Sequence, residues 1–339
     1  MRLSILDQSV MGEQETATDA LNNTVTLAQK AEELGYHRFW VSEHHNAENL
    51  AGSAPEILIS HLLAKTSSIR LGSGGVMLQH YSPYKVAETF NLLASLAPGR
   101  VDLGVGKAPG GLPLSTKALQ EGGGAPKELW EKLIDLKKFI RNTLEPHEPF
   151  FGLKAEPVPR EPAELFLLGA SASSAKLAGD LGYSFVFAQF INNQHVILEE
   201  AFEVFSQVQK RKKSENLSFI LALSVIVADS DEEARQLIEN FKIYKVHLDS
   251  GRSFTVASAE QAELFAKQAK ENVRIEIQEA NIIAGSKKTV REQLIQIQTI
   301  YDLDEMIILS PIPKFQDRLK SFVLLSEAMA EMSLSNESF

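Results

Sequence analysis

Ala31-Glu32-Glu33-Leu34-Gly35-Tyr36-His37-Arg38-Phe39-Trp40-Val41 and Ala178-Gly179-Asp180-Leu181-Gly182-Tyr183-Ser184-Phe185-Val186-Phe187-Ala188 are two versions of one joint. In each, a helical pattern stops at Leu-Gly and an aromatic-rich strand begins at once. Gly35 and Gly182 stand where a helix commonly ends with positive φ, a conformation that glycine adopts without steric cost. A helix handing over directly to a strand is the working unit of alternating α/β folds.

The alternation continues outward in both directions. Strand-like runs fall at residues 3–6, 38–42, 69–78, 101–105, 164–168, 184–188, 220–228 and 306–309. Leu21, Val25, Ala28, Ala31 and Leu34 recur every three or four residues, one face of an amphipathic helix. Similar stripes occupy 56–65, 86–96, 129–140, 175–181, 196–208, 233–243, 290–300 and 315–329. Eight strands alternating with helices predict an α/β fold of the (β/α)8 TIM-barrel type, a single domain over 1–339 with insertions. The competing open, doubly wound sheet usually carries Gly-x-Gly-x-x-Gly after its first strand, and residues 7–12 supply none. Two stretches exceed a simple barrel. Residues 108–125, with Gly110-Gly111 and Gly122-Gly123-Gly124, read as a flexible lid or substrate wall, because loops after barrel strands build the active face. Residues 249–289 are polar and read as a mobile insertion.

Composition narrows the chemistry. The chain has 339 residues, 34 Lys+Arg against 44 Asp+Glu, a net charge of −10 and no cysteine. Disulfide scaffolds, thiolate metal sites and a cysteine nucleophile are excluded. The acidic balance without a basic block argues against nucleic acid as a partner. The N-terminal residues do not read as a signal peptide, and the apolar run at 221–228 is far too short for a membrane span. A cytoplasmic protein with no membrane partner is expected.

Chemistry-bearing residues cluster after the strands. Ser42-Glu43-His44-His45-Asn46 closes the second strand. Adjacent strand residues point to opposite faces, so at most one of the two histidines faces a barrel mouth, which disfavours a metal site. A histidine there serves as proton donor or acceptor, or as a hydrogen-bonded structural group. Gly72, Gly74 and Gly75 in the third strand fit either a flat ligand lying on bare backbone or a strand kink. The fourth strand ends in Gly104-Val105-Gly106-Lys107, a wall of alternate glycines followed by one cation. Ser171, Ser173 and Ser174 open the helix after the fifth strand. One serine suffices as a cap, whereas three lean toward an anion cradle beside Lys107.

In this register the chain resembles the bacterial luciferase-like flavin monooxygenase family, in its single-subunit form. The resemblance rests on Trp40-Val41-Ser42-Glu43-His44-His45, Leu71-Gly72-Ser73-Gly74-Gly75-Val76-Met77-Leu78 with Ser82-Pro83 and Ala87-Glu88, Pro98-Gly99-Arg100, Leu103-Gly104-Val105-Gly106, Leu168-Gly169-Ala170-Ser171 and Asp304-Glu305-Met306. It leaves 111–125 and 249–285 unmatched. It implies a barrel binding FMN, with Lys107, Ser171 and Ser174 on the phosphate and Gln189 in the cofactor-binding set. Gly74 and Gly75 fall where the family often has a non-proline cis peptide beneath the flavin ring, and His44 falls near the reactive flavin face. Reduced FMN is implied as co-substrate, supplied by a separate flavin reductase, with O2 and a small organic substrate as the other reactants. Phe151, Phe187, Phe190 and Met77 are candidate apolar walls for that substrate. A homodimer through the early helices is implied, and the alanine stripe of the first helix permits it. Two departures stand out: Lys107 replaces the commoner arginine, and Ala170 replaces a carboxylate of true luciferases, so light emission is not expected. A non-catalytic flavin-binding protein and a deazaflavin-dependent oxidoreductase of the same fold are the alternatives.

Overall fold

The computed structural model describes residues 1–121, 127–212, 216–239, 241–256 and 258–336. The first half runs β1 (Arg2–Asp7), α1 (Ala17–Glu33), β2 (Arg38–Val41), α2 (Pro55–Lys65), β3 (Arg70–Met77), α3 (Pro83–Leu96), β4 (Val101–Gly106), α4 (Pro113–Leu119) and α5 (Leu129–Arg141). It continues with β5 (Glu164–Gly169), α6 (Ala172–Leu181), β6 (Ser184–Ala188), α7 (His195–Arg211), β7 (Phe219–Ala228) and α8 (Asp231–Ile238). Then come β8 (Lys242–Leu248), β9 (Ser253–Val256), α9 (Ala259–Gln268), β10 (Val273–Glu279), β11 (Ile282–Ser286), α10 (Lys287–Tyr301), β12 (Glu305–Leu309) and α11 (Phe315–Asn336).

Eight parallel strands close on themselves in the order β1-β2-β3-β4-β5-β6-β7-β12, with β12 returning to β1. These are the eight strands that the sequence pattern predicts, so the (β/α)8 barrel stands. Both expected glycine joints adopt positive φ, 78° at Gly35 and 73° at Gly182. Leu6, Trp40, Phe166, Val186, Ile220, Ala222 and Ile307 fill the barrel interior. Alternate residues of the same strands face the helices, Phe185 and Phe187 among them. That alternation sends Phe187 into the helix layer, so it is no substrate wall.

A ring of charge closes the barrel at the strand starts. Arg38 donates through Nε to Glu305 at 3.0 Å and meets Asp102 at 2.9 Å and Glu164 at 3.1 Å. Asp102 also takes a bond from Trp40 Nε1 at 2.9 Å. Arg38 lies over the Phe166 ring at 4.9 Å. Buried charge is tolerated only when paired in this way, and the plug leaves the opposite end for chemistry.

The surplus length has its own architecture. β7 pairs with β6 over 219–222 and then with β11 over 224–228, so its upper half rises beyond the point where β6 has left the wall. Between β7 and β11 the chain folds an antiparallel sheet of order β10-β8-β9 under α9. The helical stripe read at 233–243 stops at Ile238, and β8 follows from Lys242. Tyr244, Val246 and Leu248 alternate with Lys245 and His247, a two-residue period that buries one face and leaves the other charged. That half-polar sheet is why 249–289 reads as polar on average. Gly122, Gly123 and Gly124 of the expected lid lie outside the described residues.

Candidate functional site

All eight barrel strands end at one rim, and the second, third, fourth and fifth bring the candidate residues there. His44 follows β2 and is partly buried. Its backbone N–H donates to Gly52 O at 2.8 Å, and its Nδ1 lies 3.0 Å from Ser42 Oγ. Burial, with a smaller push from His45 and an opposing pull from Glu43, lowers its pKa to about 4. The imidazole is therefore neutral at neutral pH, the form that can give or accept a proton through Nε2.

Glu43 is the residue whose role the motif did not disclose. It is 1% exposed. Its Oε1 accepts from His45 Nε2 at 2.7 Å and Tyr81 OH at 2.8 Å, and its Oε2 from the Met77 N–H at 3.0 Å. Three donors thus fix one buried carboxylate between β2 and the turn after β3. Burial and then Glu43 itself raise the Tyr81 pKa, keeping that phenol a donor. The only sequence signal was an acid placed before paired histidines, a motif whose reading turned on the histidines and gave the acid no role. Among the described residues no group of three or more His, Asp or Glu side chains is arranged to hold a metal ion.

The same network grips the loop after β4. His45 N–H donates to Gly110 O at 2.7 Å, and His80 Nε2 to Pro109 O at 2.8 Å. Gln120 Nε2 sits 3.2 Å from the other His80 nitrogen. A Cβ on Gly110 would lie 2.9 Å from Met77 Cγ, and one on Gly111 2.5 Å from His45 O. Gly110-Gly111, read as flexible from sequence, is glycine because no side chain fits there. Beyond it, Leu112 is buried with Val246, Leu248, Ala262 and Phe265. The Leu114 N–H donates to Gln268 at 3.1 Å, and Gln261 reaches Asn49 at 3.3 Å. The loop and the insertion therefore meet over one side of the rim.

The glycines of β3 and β4 are explained largely by packing. The Gly74–Gly75 peptide is cis. A Cβ on Gly74 would meet Leu6 Cδ1 at 2.6 Å, one on Gly75 would meet Gly104 O at 2.7 Å, and one on Gly104 would meet Ser73 O at 2.2 Å. Gly106 differs, since a Cβ there has only Met77 Sδ nearby, at 3.8 Å.

Lys107 and the serines occupy neighbouring strand ends. Gly106 pairs with Leu168, which places Lys107 beside the turn that carries Ser171. Lys107 is exposed and makes no hydrogen bond or ion pair among the described residues. Ser171 caps α6 by accepting from the Ser174 N–H, and its hydroxyl lies 3.0 Å from those of Ser173 and Ser174. Three hydroxyls at a helix start beside a free ammonium suit an anion such as a phosphate ester. Gln189 stands apart. It lines a cavity of about 220 Å³ between α7 and α10, on the helix side of the wall. Of the apolar candidates, Met77 lies at the rim and Phe190 packs against the barrel interior, whereas Phe151 is 57% exposed.

A family model for luciferase-like monooxygenases matches residues 1–302. N-acetyl-S-alkylcysteine monooxygenase of Bacillus subtilis (strain 168) is 48% identical over 331 residues, covering 97% of this chain and 98% of that protein. The solved structure of apo-MsnO8 superposes with a TM-score of 0.76 at 31% identity, over 97% of this chain and 98% of the other. The oxygenating constituent of 3,6-diketocamphane monooxygenase from Pseudomonas putida, solved with FMN, shares the fold at a TM-score of 0.69 and 17% identity, over 96% of each chain. With the barrel, the rim residues and these matches together, the chain belongs to the luciferase-like monooxygenase family.

Proposed function

We propose that this protein is a flavin-dependent monooxygenase that takes reduced FMN and O2 and oxygenates a small thioether of the N-acetyl-S-alkylcysteine class. The carrying observation is the free Lys107 ammonium beside the Ser171, Ser173 and Ser174 hydroxyls, a cradle matched to a phosphate ester. The substrate class follows from the relative that is 48% identical over nearly the whole chain. The chemistry supplied by bound reduced FMN is a pair of electrons, which lets one atom of O2 enter the substrate while the other leaves as water. The chain's own part is binding, orientation, proton handling and exclusion of water. Lys107 offers a point charge and the serines offer donors, without the bidentate grip of an arginine. Gly106 leaves the wall beside Lys107 bare. Neutral His44, with Nδ1 tied to Ser42, holds or moves a proton through Nε2. Water exclusion falls to the loop clasped by His45 and His80.

A diffusible reduced flavin requires a separate reductase in the same compartment, the cytoplasm. The homodimer belongs to this proposal with a different face. Ala20, Ala28 and Ala31 of α1 are buried within this chain and cannot form an interface. Ile57 of α2 and Leu92 and Leu96 of α3 are instead exposed.

The test is oxygen uptake by the full chain with reduced FMN and a panel containing N-acetyl-S-alkylcysteines. The expected result is substrate-dependent product formation matching O2 consumed, with Lys107→Ala weakening FMN binding at least tenfold. No FMN binding, or equal turnover with a reduced deazaflavin in its place, rules the proposal out.

A further inference from the structure

We propose that Glu43 is a positioning residue: through His45 it holds the loop 107–112 against the rim and so fixes where Lys107 stands and how well the site excludes water. The inference rests on the monooxygenase reading for its kinetic consequence only.

The chain of contacts is short. The buried Glu43 carboxylate binds the His45 ring, the His45 backbone N–H binds Gly110 O, and Lys107 lies three residues before Gly110. Pro109 is held in parallel by His80. Glu43 is anchored independently of the loop by Tyr81 and the Met77 N–H, both on the β3 side. Lys132, from α5, stiffens that side by donating to the carbonyls of Leu78, Gln79 and Tyr81 at 3.1, 2.8 and 3.0 Å. The carboxylate thus transmits the position of the rigid β3 end to the loop. Both of its oxygens accept, so an apolar side chain of similar size cannot replace it. In Glu43→Leu the Met77 N–H, the Tyr81 hydroxyl and the His45 ring all lose this acceptor. The buried Met77 N–H, which can only donate, is left unpaired. Gly110 and Gly111 bring no side chain to the rim, so on that side the loop is seated by these bonds, while Leu112 holds its far end against the insertion.

The experiment compares the full-length parent with Glu43→Leu by amide hydrogen exchange. His45→Ala breaks the same link from the other side and carries the test should Glu43→Leu not fold. The expected result is at least tenfold faster exchange over 108–120 with β5 unchanged. With reduced FMN, the KM for flavin rises about tenfold while kcat moves less than threefold, and hydrogen peroxide released per O2 rises several-fold. Exchange over 108–120 within twofold of the parent overturns the inference. The exchange readout needs no flavin, so failure of the parent to bind FMN refutes the proposed function while the loop result still decides the role of Glu43.

Discussion

His44 shows how one side chain ties proton chemistry to stability. Its pKa falls from the ordinary 6.5 to about 4 chiefly because burial disfavours the charged form. The unfolded chain therefore binds a proton between these values that the folded chain does not. Stability is unaffected above about pH 6.5 and declines as pH drops toward 4, by up to ~3 kcal/mol. In urea unfolding, His44→Gln should lose less stability than the parent between pH 7 and 4.5. Turnover should stay level with respect to this group across neutral pH, and His44→Gln should lower kcat at least tenfold at pH 7. Equal acid sensitivity of the two proteins would contradict a buried neutral imidazole. Position made His44 and Lys107 legible in the sequence, each standing one to three residues past a recognisable strand. Glu43 was visible but left without a role, because its three partners come from 34 and more residues away as well as from two. No local pattern announces such a convergence.

At the scale of elements, the glycine-rich strands carry the clearest lesson. From sequence, Gly72, Gly74 and Gly75 fit a ligand floor and a strand kink equally. Packing is the larger part: Leu6, Trp40, Asp102 and the β4 backbone occupy the space a Cβ would need. Gly104→Ala should therefore destabilise by about 1–3 kcal/mol or more, since backbone carbonyl atoms cannot move aside as a flexible side chain can. Gly106→Ala should leave thermal stability nearly unchanged and act instead on flavin affinity. Thermal melts and flavin titrations of the two variants separate packing from ligand clearance. β8 illustrates the opposite failure. A helical stripe through 233–238 runs on into alternating residues, and the apolar positions at 234, 238 and 243 satisfy either period for a few residues. Only its pairing, with β9 across a short turn and with β10 beyond α9, settles the strand.

For the whole molecule, the barrel was readable because its eight strands are buried on both sides and stand out as short apolar runs between amphipathic helices. The insertion was not, because its sheet buries a single face and draws Leu112 from a remote loop to complete its small core. The expected association also changes at this scale. Ile57 on α2 and Leu92 and Leu96 on α3 are exposed apolar side chains available to a second copy, while Ala20, Ala28 and Ala31 of α1 are buried within this chain. Leu92→Glu with Leu96→Glu should shift the protein to a monomer in light scattering without lowering its melting temperature by more than a few degrees. A parent that is already monomeric at micromolar concentration refutes the dimer.

The departure and return of the chain around β8–β10 occur at almost one point, since the Ala280 N–H bonds Phe241 O at 3.1 Å. The insertion hangs from the barrel by a closed neck, like a clasp threaded through a single eyelet. The eight-stranded wall closes without it, and the β7–β11 ladder begins only beyond that neck, but Leu112, Leu114 and Asn49 fasten it to the rim loops as well. A short turn joining 241 to 280 would remove the clasp and leave Leu112 without its partners, so an exchanged segment must bring its own apolar seat for that side chain. The cover over this side of the rim is thus one part with one attachment to the chain, whose exchange does not reopen the problem of how the barrel folds.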